Sequence, residues 1–198
     1  MNIYKQTKAG NSKLLLVFSG WAASPEVFRH LEPEPDTDIW ICYDYRGMEF
    51  EGEALSRYPE IRLIAWSLGV WVASIVFGKR QIPFTEAIAV GGTLYPVHDQ
   101  WGIPETIFRG TLDNLAEEGM HRFNRRMCGK RDLLEAYDTT SSTHRHPGRI
   151  GLPVHRNKEN TISFPLIQWM DAYPHPLRRP DLSCREPACL LARSLSYN

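Results

Sequence analysis

The chain is poor in cysteine. Its four, Cys42, Cys128, Cys184 and Cys189, show neither Cys-x-x-Cys nor metal-ligand spacing. This excludes a zinc ribbon, a dithiol redox motif and a disulfide-stapled scaffold, and leaves free thiols in a reducing compartment as the default. Long hydrophobic runs are missing as well. The early apolar run, Leu14 to Phe18, is too brief for a signal-peptide core or a membrane span, so a cytoplasmic protein is expected. An excess of one charge is the third absence: 23 Lys and Arg balance 23 Asp and Glu. Nothing global therefore draws the chain to nucleic acid or to a membrane surface, and electrostatic recognition must come from a local patch. The 198 residues suit a single domain with a real core over 1–198.

What is present centres on Arg62 to Trp71, where a strand-like run enters Ser67 and then changes to helical spacing over Val70 to Phe77. A serine on such a strand–turn–helix junction is pushed out of the sheet plane at a helix N-terminus. There, backbone N–H groups and the helix dipole can stabilise a developing oxyanion. Ser67 is the candidate nucleophile, with Ala65 standing where the Gly-x-Ser-x-Gly pattern has its first glycine. The plainer alternative is that Ser67 is an N-cap.

Other apolar segments fall into order around this one. Leu14 to Phe18 reads as a strand buried on both faces and ends in Ser19-Gly20-Trp21; Ser24 and Pro25 suit the start of a helix carrying Val27, Phe28 and Leu31. Asp38 to Tyr43 and Ala87 to Val90 read as further strands, the second closed by Gly91-Gly92 and a loop with His98 and Asp99. Met48 to Arg57 reads as loop plus a short helix. Strands alternating with helices predict a mostly parallel, doubly wound α/β sheet, whose ligands sit beyond the strands' carboxyl ends. Ser19 to Trp21, Ser67 and Gly91 to Asp99 converge on that rim.

From Pro104 the pattern turns helical, and Leu112, Leu115, Ala116, Met120, Phe123 and Met127 predict one amphipathic helix over Asp113 to Met127. Arg122, Arg125 and Arg126 lie late in it, followed by Lys130 and Arg131. This placement complements the helix dipole, or it makes a basic patch for an acidic partner. His121 reads as a surface residue and His98 as a loop residue.

Five segments together resemble the BioG-type esterases of biotin synthesis: Leu15 to Trp21, Tyr43 to Gly47, Ala65 to Trp71, Gly102 to Glu105, and Phe123 to Gly129. The resemblance covers about residues 12–137. It implies a small α/β-hydrolase that cleaves the methyl ester of pimeloyl-acyl-carrier protein without a metal or organic cofactor. Carried over residue by residue, Ser67 matches the nucleophile, and the backbone N–H groups of Trp21 and Leu68 match the oxyanion hole, as a nucleophile elbow requires. The acyl-carrier protein is acidic, so Arg122, Arg125, Arg126, Lys130 and Arg131 make a docking surface within a helical lid or docking segment over 104–137. A monomer is expected.

After Tyr137 the resemblance stops. Ser141 to Asn157 and Pro174 to Asn198 lack helical or strand periodicity, whereas Lys158 to Tyr173 between them reads as a strand approach. Back-translating Arg179 to Arg193, and likewise Thr143 to Arg156, with one base dropped yields sequences of ordinary helix-like or family-like composition. Both odd stretches therefore read as translated out of frame, against the alternative of a divergent, irregular tail over 174–198 that lacks the final strand and helix. The catalytic acid and histidine follow the serine in this fold, so neither matches a residue here. Asp99 at the rim is the alternative acid, and His175, the one histidine of the final segment, is the candidate base. Two other readings stay open: a non-catalytic carrier-binding protein without a triad, and a hydrolase of other small esters or thioesters.

Overall fold

The computed structural model describes residues 1–78, 80–114 and 117–141. It holds a five-stranded sheet: β1 (Asn2–Gln6), β2 (Lys13–Phe18), β3 (Thr37–Tyr43), β4 (Glu60–Trp66) and β5 (Glu86–Val90). Their order across the sheet is β1-β3-β2-β4-β5. Pairings among β3, β2, β4 and β5 are parallel, and β1 adds antiparallel to β3 at the edge. The four helices are α1 (Leu68–Phe77), α2 (Glu105–Asp113), α3 (Glu117–Cys128) and α4 (Arg131–Ser141). The class is therefore mixed α/β with a mostly parallel sheet.

Strand alternation divides the core into two layers. Leu14, Leu16, Phe18, Trp40, Cys42, Ile61, Leu63 and Ala65 face α1 and pack on its Val72, Ala73, Val76 and Phe77. Val17, Ile39 and Ile41 face the other way, against Phe28 and Leu31. Leu16, Phe18 and Val72 have no exposed surface, and each such side chain contributes about 1.5–3 kcal/mol by leaving water. Phe18 anchors the first layer through edge contact with Phe77 at 5.6 Å and stacking on Tyr45 at 6.4 Å.

A polar hub closes the sheet end opposite the rim. Asp38, at the start of β3, is buried and accepts hydrogen bonds from the Lys8 N–H, Asn11, Arg57 and the Tyr58 hydroxyl. Burial by itself would raise its carboxyl, but these donors and the Arg57 charge outweigh that and hold it below the ordinary carboxylate range.

Three details depart from the sequence reading. Strand β1 was not expected; its polar residues stay largely exposed because it is an edge. The segment after Ser24 is a single 3-10 turn, Pro25–Phe28, and Ser24 does not cap it: its hydroxyl is buried without a partner among the described residues. The helix expected over 113–127 is present only from Glu117, as α3, and Asp113 instead ends a separate helix, α2. Helix α2 stops at Asp113, the Asn114 side chain bonds back to the Gly110 carbonyl, and the Asn114 carbonyl fills the space a Cβ on Gly119 would need. The loop plus short helix read over Met48 to Arg57 is present, its helix being the 3-10 element Gly52–Leu55. Among the described residues no helix is long and apolar enough to cross a membrane. Cys42 and Cys128 are free and buried, whereas Cys184, Cys189, the segment Lys158 to Tyr173 read as a strand approach, and the 174–198 segment lie outside the described residues.

Candidate active site

Strands β2 and β4 are parallel neighbours, with Phe18 opposite Ala65. The Ser19-Gly20-Trp21 loop and the Trp66-Ser67 turn therefore leave adjacent strand ends on one edge. Ala65 is buried at the end of β4, so a small side chain suits the position.

Ser67 adopts φ 53° and ψ −120°, a left-handed conformation that a non-glycine residue occupies at a cost of about 1–3 kcal/mol. Its surroundings hold it there. The Ser67 N–H donates to the Val90 carbonyl at 2.8 Å, and its own carbonyl accepts from the Val70 N–H at 3.1 Å. A Cβ on Gly92 would stand 2.2 Å from the Ser67 carbonyl oxygen, and one on Gly69 would stand 2.3 Å from that of Phe18. Glycine is needed at both places because backbone passes against backbone. An N-cap serine has extended φ and ψ and bonds its side chain to the helix. Ser67 does neither, which rules out the capping reading. Its hydroxyl has no hydrogen-bond partner among the described residues.

The opposing loop is held by Tyr45, whose hydroxyl lies 2.9 Å from the carbonyl oxygens of both Ser19 and Cys42. Burial pushes that phenol well up, so it remains a neutral donor. The backbone N–H groups of Trp21 and Leu68 donate to nothing among the described residues. Two free N–H groups, one at the start of α1 and one in the loop after β2, can bind the oxygen of a tetrahedral intermediate.

The remaining sequence candidates are placed as follows. Asp99 is exposed, and its carboxylate accepts the Glu105 N–H at 3.2 Å, serving the start of α2. His98 turns its Nδ1 to the Gln100 and Trp101 N–H groups, as a loop-forming residue does. His175 lies outside the described residues. A histidine–carboxylate pair does exist elsewhere: His121 Nδ1 lies 3.3 Å from Asp138 Oδ2, with Asn124 donating to the other oxygen at 3.0 Å. It is not placed for Ser67. Phe123 on the same helix contacts Trp21, and His121, two residues earlier, points about 200° away around the helix.

Arg122, Arg125, Arg126 and Lys130 are exposed and make no ion pair among the described residues. Arg131 instead pairs with Glu135 at 3.0 Å. The sequence reading put Gly92 on the rim and Tyr45 in the Tyr43 to Gly47 motif, but not the packing of Gly92 against the Ser67 carbonyl or the hold of Tyr45 on the Ser19 carbonyl.

The family model described as "Pimeloyl-ACP methyl esterase BioG" matches residues 1–154, farther at both ends than the 12–137 read from motifs. A Bacteroides fragilis protein named malonyl-[acyl-carrier protein] O-methyltransferase is 45% identical over 123 residues, 62% of this chain and 25% of that protein. An uncharacterised Haemophilus influenzae protein is 41% identical over 155 residues, 78% of this chain and 67% of its own. The crystal structure of selenomethionine-labelled BioG from Haemophilus influenzae superposes with a TM-score of 0.69 at 39% identity, covering 76% of this chain and 67% of that one. The chain thus spans a quarter of the Bacteroides relative and two thirds of the Haemophilus ones.

Proposed function

The chain belongs to the BioG family of pimeloyl-ACP methyl esterases, and from that premise we propose a serine esterase of the α/β-hydrolase type that cleaves the methyl ester of pimeloyl-acyl-carrier protein in biotin synthesis. The observation that carries the reading is Ser67, held at φ 53° next to the Leu68 N–H and on the strand end adjoining the Trp21 loop, both N–H groups unpartnered among the described residues. Ser67 Oγ attacks the ester carbonyl, giving a tetrahedral oxyanion that the Trp21 and Leu68 N–H groups bind. Its collapse breaks the bond to the methoxy oxygen, which takes a proton and leaves as methanol. Water then hydrolyses the acyl-enzyme to a free carboxylate and restores the serine. The proton passes through a histidine; as the chain is written the candidates are His175, outside the described residues, and Asp99, whose carboxylate already accepts the Glu105 N–H, while the out-of-frame reading puts both the acid and the histidine in the corrected segment.

The carrier is acidic, and the open cations of α3 with Lys130 form its docking face, to which the paired Arg131 adds less. The test is incubation of pimeloyl-acyl-carrier protein methyl ester with the protein and with Ser67→Ala. Methanol release by the first and none by the second supports the reading. No release by either favours a carrier-binding protein without a triad, and faster release from unrelated small esters favours a broader esterase. Methyl transfer, the activity in the Bacteroides protein's name, is disfavoured for this stretch because it carries the serine turn.

A further inference from the structure

Trp21 is gripped from above by two helices. Its ring lies 6.4 Å from Phe108 of α2, tilted at 45°, and 5.0 Å from Phe123 of α3, nearly perpendicular at 84°. Both distances fall in the range where aromatic pairs attract beyond simple area burial, and the second has the favoured edge-to-face form. Among the described residues nothing polar fixes the indole: its Nε1 is buried and has no hydrogen-bond partner there. The backbone around it is equally spare. Ala22 has a left-handed φ of 57°, and the turn carries one long bond, Ala23 N–H to the Gly20 carbonyl at 3.3 Å.

We infer that Phe123 is a positioning residue: its ring fixes Trp21, and so fixes the backbone N–H that Trp21 presents to the reacting oxygen. This deepens the esterase reading and rests on it. Its consequence is mechanical. Phe123 sits between Arg122 and Arg126 on α3, so the helix that carries the basic face also carries the contact that steadies the oxyanion loop.

The test uses the full chain labelled with 5-fluorotryptophan, in which the Trp21 line among six tryptophans is assigned with Trp21→Phe. Two variants, Phe123→Ala and Phe123→Leu, are compared for that 19F line and for the rate at which a fluorophosphonate labels Ser67. The expected result is a displaced Trp21 line and labelling slowed on the order of tenfold or more for Phe123→Ala, with Phe123→Leu in between. A labelling rate equal to wild type overturns the inference, even if the line moves. If the wild type itself is not labelled, the esterase reading fails. The 19F line then decides alone: displaced by Phe123→Ala, it supports the link between helix and loop; unmoved, it overturns that too.

Discussion

The Ser67 N–H donates to the Val90 carbonyl at 2.8 Å, carrying the β4–β5 pairing one residue past the end of the strand and into the turn. The serine cannot relax to an extended conformation without losing that bond, so its φ of 53° is retained. Glycine adopts this conformation freely and alanine does not. Ser67→Gly is therefore expected to be more stable than Ser67→Ala by about 1 kcal/mol, after part of the relief is offset by glycine's larger unfolded-state entropy. Urea denaturation of the two variants measures it. Equal midpoints contradict a strained turn.

The basic face of α3 gives the second prediction. Charge reversal of Arg122 and Arg126 weakens use of the carrier-linked ester, seen as a raised KM that adding salt to the wild type imitates. A small soluble ester is hydrolysed as before. Equal loss on both substrates contradicts carrier docking at this face.

Asp38 gives the third. Its carboxyl is held below the ordinary value, so the folded chain resists protonation there more than the unfolded chain does. Its contribution is fully present above the unfolded pKa of about 3.9 and is lost as pH falls through the lower folded value. Asp38→Asn should lower stability at neutral pH and flatten the acid limb between about pH 5 and 2. Thermal midpoints across that range decide it, and an unchanged acid limb contradicts the hub.

Much of this was legible in the sequence because the signals were local. The runs at Leu14 to Phe18 and Arg62 to Trp66 became the paired central strands β2 and β4, and the serine between strand and helix became a left-handed turn. What escaped depends on contacts between distant segments. Edge strand β1 has no apolar run to mark it, Tyr45 acts through backbone carbonyls 3 and 26 residues away, and the split between α2 and α3 depends on a close approach of Asn114 to Gly119. Ser24 and Asp99 show the limit of reading short polar residues: the first matched a cap pattern and caps nothing, while the second bonds the start of a helix.

The composition break gives the fourth prediction. Resequencing the DNA for residues 138–198 from the original source is expected to reveal single-base errors near Thr140, Asn157 and Pro174, whose correction supplies an acid segment and a later histidine. An unaltered frame contradicts the out-of-frame reading and favours the carrier-binding protein.

The central claim is that Ser67 is an activated nucleophile, and intact-mass analysis after brief exposure to a fluorophosphonate tests it most directly. The account predicts one adduct per chain, mapped to Ser67 and absent from Ser67→Ala. No adduct, or one that persists in Ser67→Ala, would contradict it.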